Sequence, residues 1–236
     1  MATILCIETG TDICSVGIAR EGEIVSMLES NEGRDHARKV GVFVDELLHS
    51  TGITPDEIDA VAVGKGPGSY TGLRIGVSFA KGLCYGLQKP LIAVGSLDAL
   101  ATVAREEYEA GILDVEQWDN SRLCPMVDAR RMEVYSAVYD RALTEVRSTG
   151  ADIVDAETYK EYLNRGPVYF LGNGAAKCKD TILHENAHFI DDVRPLAKWM
   201  FPLAEQMFNR GEFCDVAYFE PYYLKDFVAI KPKKLI

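Results

Sequence analysis

The chain has no CxxC pair, no GK[ST] ending to a glycine-rich loop, no apolar run long enough to cross a bilayer and no extended basic cluster. Each absence removes a class of function. Without paired cysteines neither a zinc ribbon nor a dithiol redox site is expected. The six cysteines, Cys6, Cys14, Cys84, Cys124, Cys178 and Cys214, lie far apart. The first four sit in apolar segments, where a reduced, buried thiol is the ordinary outcome. The opening MATILCIETG carries no basic leader, and Glu8 and Thr9 interrupt its apolar run, so a cytoplasmic protein with no membrane partner is expected. A formal net charge of −11 argues against autonomous nucleic-acid binding, because phosphate affinity rests on clustered Lys and Arg. The one basic group, Lys225 with Lys231, Lys233 and Lys234, reads as a solvated end. If RNA is involved, something else must hold it.

What is present is a chain of 236 residues, 47% of them hydrophobic, enough for one sizeable core or two of roughly 100 residues each. Residues 3–8, 13–19 and 23–29 read as strands separated by the turn formers Gly10-Thr11-Asp12 and Glu21-Gly22. A helix is predicted over about 34–50, where Ala37, Val40, Val44, Leu47 and Leu48 recur at helical spacing and Gly52 closes it. A strand at 60–64, a glycine-rich loop, a helix over 71–87, a strand at 91–94 and a helix from Ser96 complete the first half. Polar sequence from 105 to 122 reads as a junction. A hairpin over 123–127 and 133–139, helices at 155–163, 173–183 and 195–210, and strands at 168–171 and 188–190 are predicted for the second half.

The order βββαβα is the signature of one half of the actin-like fold shared by acetate kinase, Hsp70 and actin. The expectation is an α/β protein of two actin-like, ribonuclease H-like domains, the first over 1–106 and a more divergent second over 107–236. Fold alone does not fix function.

The most specific segment is GKGPGSYTGLRIGVSFAKGL, Gly64 to Leu83, a strand end running through a glycine turn into a helix. Such a turn exposes unpaired N–H groups to an anion, yet a tight strand-to-helix turn explains the same residues. The candidate anion or nucleotide contacts are Gly66, Gly68 and Ser69, with Thr9 and Thr11 of the first loop; Ser69 equally suits a helix cap. The helix that follows carries interior glycines, each costing about 0.5–1 kcal/mol against alanine, a cost that demands a close contact. Gly72, Gly76 and Ala80 fall four residues apart and form one narrow stripe. The stripe either packs on the protein's own sheet or meets a partner. With Ile75 and Phe79 beside it, and Val40, Phe43, Val44 and Leu47 on the preceding helix, it makes the candidate partner interface.

His184-Glu185-Asn186-Ala187-His188 matches the HExxH zinc pattern literally. Its context is a helix ending near Leu183 and a strand starting at His188, whereas a zincin needs both histidines on one sustained helix. No metal site is expected from it, and no catalytic residue is singled out. His36 and His49 have no nucleophile beside them, and Ser69 stands in the wrong frame for a GxSxG elbow.

GPGSYTGLRIGVSFAKGL, then PLIAVGSLDALA and DARRMEVYSAVY, together resemble the TsaB family, most strongly over residues 3–104. The resemblance implies a part in threonylcarbamoyl transfer to the adenosine beside the anticodon of tRNAs that read codons starting with A. It implies that catalysis belongs to a related subunit, TsaD, whose metal-binding HLEGH segment corresponds to Ser96-Leu97-Asp98-Ala99-Leu100 here, with Ser96 and Leu100 in place of the imidazoles. It also implies pairing with TsaD through the first two helices, TsaE as a further partner, tRNA reached only through the complex, and a homodimer when alone. No tightly bound cofactor is implied, with ATP held only weakly or in the complex; Glu8 stands where an aspartate is usual. An ATP-dependent phosphotransferase of the same fold and a zinc metallopeptidase are the alternatives.

Overall fold

A computed structural model describes residues 2–32, 35–113 and 118–225. The tail lysines 231, 233 and 234 lie outside them. The first lobe runs β1 (Thr3–Glu8), β2 (Cys14–Arg20), β3 (Glu23–Ser30), α1 (His36–Thr51), β4 (Ala60–Gly66), α2 (Tyr70–Leu87), β5 (Leu91–Gly95) and α3 (Ser96–Glu109). The second runs β6 (Arg122–Asp128), β7 (Glu133–Asp140), β8 (Glu145–Ile153), α4 (Lys160–Leu163), β9 (Val168–Leu171) and β10 (Ala187–Ile190), followed by α5 (Phe201–Arg210).

The two five-stranded sheets repeat one topology. The first is ordered β3-β2-β1-β4-β5 and the second β8-β7-β6-β9-β10. In each, an antiparallel three-strand meander is followed by two parallel additions. The β2–β3 hairpin closes through Glu21 and Gly22, both at positive φ (57° and 84°), the backbone that a two-residue hairpin loop requires.

Side chains alternate along the strands and so build a core on each face. From β1, Leu5 and Ile7 face α1 and α2, joined by Val40, Val44, Leu47, Val77 and Ala80. Ile4 and Cys6 face the opposite way, with Ile92, Ala99, Met200, Phe201 and Ala204. Helix α3 is the link between lobes. Ala99 belongs to the first-lobe core, whereas Leu97, Leu100 and Val103 pack with Leu123, Val127 and Leu171 of the second sheet. That double burial explains why Leu97 and Ala99–Ala104 of this helix are all buried, while its last turn is polar.

The first-lobe elements match their predicted spans to within two residues, apart from α3, which runs on through the polar stretch to Glu109. The second lobe departs more. The helix expected over 155–163 shrinks to Lys160–Leu163, and that over 173–183 is a single 3-10 turn at Ala176–Cys178. Gly174 explains the second case: a Cβ there would lie 2.9 Å from the Val127 carbonyl carbon, so the chain hugs β6 where a helix would stand off it. The strand β8 is absent from the sequence reading. After Pro195 the chain returns to the first lobe, where α5 packs against its core, Cys214 donates its N–H to Leu91 O and Tyr222 to Lys65 O, both at 2.8 Å. Residues 201–222 therefore pack with the first sheet although a division at 106 groups them with the second. Among the described residues no helix is long and apolar enough to cross a membrane.

Candidate functional site

The two loops that carry the five candidate anion contacts meet, but it is Gly68 and Ser69 with Gly10, and Thr9 with Gly72, that touch across the join, whereas Thr11 bonds within its own loop and Gly66 faces Leu73 and Tyr222. The loop after β1 (Thr9–Ile13) interlocks with the β4–α2 loop. Gly10 O accepts the N–H of Ser69 at 2.6 Å, and Thr9 Oγ1 donates to Gly72 O at 2.8 Å. Thr11 Oγ1 accepts the N–H of Ile13 at 3.2 Å. Ser69 Oγ caps α2 by accepting the N–H of Gly72 at 3.3 Å. A Cβ on Gly68 would stand 2.3 Å from Gly10 O, and Gly66 turns the chain at φ 98°. A peptide carbonyl thus occupies the place before α2 where an anion would meet the Ser69 amide, and both threonine hydroxyls are buried and partnered.

Glu8 lies under the same loops. Its carboxylate accepts the N–H of Gly10 at 2.6 Å and the hydroxyl of Ser96 at 3.4 Å. Gly64 makes room for it, since a Cβ there would lie 2.2 Å from Glu8 Oε2. Burial raises its pKa above the usual carboxylate value, opposed by the Gly10 amide and Ser96. Ser96, the first residue of α3, is consumed by that contact. Leu100, one turn on, is fully buried against the second sheet. Among the described residues no three His, Cys, Asp or Glu side chains gather as a metal site would require.

The HENAH segment does not form a helix. His184 Nδ1 accepts the N–H of Asn186 at 3.1 Å within a turn, while His188 lies on β10 and stacks on Tyr169 at 4.9 Å between centroids. Five cysteines are buried free thiols and Cys214 is half-buried.

The glycine stripe needs correction. Gly72, Gly76 and Ala80 face inward, not toward a docking surface. A Cβ on Gly72 would lie 2.0 Å from Thr9 O, and one on Gly76 2.2 Å from Thr9 Oγ1. The demanding close contact exists, but it is with the chain's own first loop. Val40, Val44 and Leu47 are likewise buried in the core beneath α1. Of the predicted interface only Phe43, Ile75 and Phe79 stay half-exposed, with Phe79 set against Gly41 where α1 meets α2. The outward face of α2 carries a second small-residue row, Ser78, Gly82 and Gly86. Added Cβ atoms on the two glycines would meet nothing within 4 Å. Tyr85 on the same helix, 81% exposed, and Val42 on α1, 47% exposed, are the large hydrophobic side chains that the two helices expose. The four-residue spacing that flagged the inner row exists in the outer one too; only the phase of the helix on its sheet separates them.

The comparisons with known proteins agree with this architecture. A family model described as TsaD, tRNA N6-adenosine threonylcarbamoyltransferase, matches residues 30–230. The tRNA threonylcarbamoyladenosine biosynthesis protein TsaB of Escherichia coli (strain K12) is 32% identical, over 97% of this chain and 96% of its own. That of Bacillus subtilis (strain 168) is 31% identical over 81% of this chain and 76% of its own. The tRNA N6-adenosine threonylcarbamoyltransferase of Nitratidesulfovibrio vulgaris (strain DP4) is 36% identical, but over only 45% of this chain and 34% of its own. YeaZ from Pseudomonas aeruginosa superposes with a TM-score of 0.75 at 28% identity, covering 95% of this chain and all of that one. Two lobes of repeated topology and mutual near-complete coverage by named relatives lead to one conclusion: the chain belongs to the TsaB family and has its role in tRNA threonylcarbamoyladenosine biosynthesis.

Proposed function

We propose that this chain is a non-catalytic partner subunit of TsaD in threonylcarbamoyl transfer to the adenosine beside the anticodon of tRNAs that read codons starting with A. The observation that carries the reading is the start of α3. At the positions matching the imidazoles of the TsaD metal segment, Ser96 is bonded to Glu8 and Leu100 is sealed in the core. A first-row metal would find no ligand at either position. The filled first loop supports the companion expectation, no tightly held nucleotide in the isolated chain and ATP only weakly or in the complex.

Docking is assigned to the outer faces of α1 and α2, with Ser78, Gly82 and Gly86 permitting close helix approach and Val42, Phe43, Ile75, Phe79 and Tyr85 supplying apolar contact. TsaE joins as a further partner, tRNA is reached through the assembly, and the same face pairs two copies of the chain when TsaD is absent. The test is tRNA threonylcarbamoylation with TsaC, TsaD and TsaE, with and without this chain, and with it replacing TsaD. Transfer that needs both proteins supports the reading, and transfer without TsaD overturns it. Gly82→Leu should abolish association with TsaD while leaving a folded chain. Unchanged association would remove α2 as the docking face.

A further inference from the structure

Beside the β4–α2 loop lies a cleft that shares only Gly66 with the candidate anion contacts and takes in neither Thr9, Thr11, Gly68 nor Ser69. It consists of two adjoining hollows of about 330 and 190 Å³ that share Lys65, Gly95, Asp98 and Tyr139. The larger is completed by polar groups, among them Glu145, Ser148 and Thr149 of the β8 side, with Tyr222 at its edge. The smaller is apolar and is closed by Val94, Leu143, Leu203 and Met207.

The charges inside are arranged by sign. Among the described residues Lys65 is the one cation that lines either hollow. Its backbone carbonyl is tied to Tyr222, but its ammonium has no hydrogen bond or ion pair with any described residue. Asp98 Oδ1 accepts the Tyr139 hydroxyl at 2.7 Å, and Oδ2 folds back over Gly95, where a Cβ would stand 2.0 Å away. Burial, with Asp98 beside it, holds the Tyr139 phenol protonated, so it stays a donor. Glu145 Oε1 accepts the Thr149 N–H at 2.8 Å. Each carboxylate therefore keeps an oxygen turned to no side chain of the described protein, in the same cleft as a lysine with no counter-ion among the described residues.

A cation without a partner among the described residues, two half-used carboxylates and an apolar recess beside them are complementary to a small molecule that carries both charges and a hydrocarbon side. We propose that this cleft binds a zwitterion of the α-amino-acid class with an aliphatic side chain. Its carboxylate pairs with Lys65, its ammonium lies against Asp98 and Glu145, and its side chain enters the recess of Leu143, Leu203 and Met207.

The full-length chain can be tested with L-leucine, L-leucine methyl ester and N-acetyl-L-leucine, following Met207 methyl resonances and titration calorimetry. L-Leucine should give saturable shifts at Met207. The ester, lacking the carboxylate, and the acetyl derivative, lacking the ammonium, should each bind about tenfold more weakly, the loss of one charged contact. Lys65→Met should weaken L-leucine to the level of the ester and leave the ester unaffected. The melting temperature should stay unchanged, because the ammonium makes no hydrogen bond or ion pair with any described residue. No saturable shift with millimolar L-leucine, equal binding of the ester, or binding indifferent to Lys65→Met would each overturn the assignment.

Discussion

Thr9 and Gly76 are in contact across the join between the first loop and α2: a Cβ built on Gly76 would lie 2.2 Å from Thr9 Oγ1, the same hydroxyl that donates to Gly72 O at 2.8 Å. The threonine is clamped between two turns of the helix, and the helix is glycine there because nothing larger fits. Gly76→Ala should therefore destabilise the chain by about 2–3 kcal/mol through overpacking. Gly82→Ala, on the open side of the same helix, should stabilise it by about 0.5–1 kcal/mol, the ordinary helical gain of alanine over glycine. Urea unfolding of the two variants beside the parent measures both signs. A parent-like midpoint for Gly76→Ala would mean that the loop yields where the packing says it cannot.

Glu8 makes stability depend on pH in an unusual direction. Burial raises its folded-state pKa above the ordinary 4.5, so the folded chain holds that proton more tightly than the unfolded one. Its contribution is fully present below about pH 4.5 and is lost as pH rises through the raised value. Glu8→Gln keeps the shape, can still accept from Gly10 and can donate to Ser96, but carries no charge. It should be more stable than the parent at pH 7, with the difference closing as pH falls toward 4.5. Denaturant midpoints across that range check it, and a constant difference would show that Glu8 is ionised without penalty.

These two sites also mark how far the sequence could be read. The glycines of α2 announce a close approach, because their helical cost has to be offset. Spacing alone does not name the neighbour, and the inner row, once placed on the sheet, meets Thr9 and not another protein. The first lobe is legible element by element because its turns carry strong local signals, Glu21-Gly22 and Gly52 at positive φ among them. In the second lobe the β6–β7 hairpin and β9 are legible in the same way, but β8 and the 173–183 segment are not. EVRSTGADI of β8 is an edge strand with only partial burial, so it shows no apolar alternation to reveal it. The 173–183 segment has the composition of a helix but is held down by Gly172 and Gly174 against the Met126–Asp128 backbone, a tertiary constraint with no local trace. The absence of imidazoles at Ser96 and Leu100 is plain in the sequence. Their actual employment, one in a bond to Glu8 and one in the core, is visible only in the fold.

Asp152 titrates in the opposite sense to Glu8. It joins β8 to β7 and to the residue before α4 by accepting from Arg147, from Ser136 Oγ at 2.6 Å and from Tyr159 Oη at 3.1 Å. Its side chain is 11% exposed and that of Arg147 27%. Burial alone would raise its pKa, but the hydrogen bonds and charge of Arg147, with Ser136, hold it below the ordinary 3.8. The stability it contributes is present above about pH 3.8 and lost as pH falls through the depressed value. Asp152→Ala leaves a largely buried guanidinium without its partner. It should cost about 3 kcal/mol at pH 7, the low end for breaking a buried pair because a quarter of Arg147 remains wet. The loss should shrink in acid, where the parent carboxylate is itself protonated. If the parent and Asp152→Ala unfolded at the same urea concentration at pH 7, the edge strand β8 would have to be held by its backbone pairing to β7 alone.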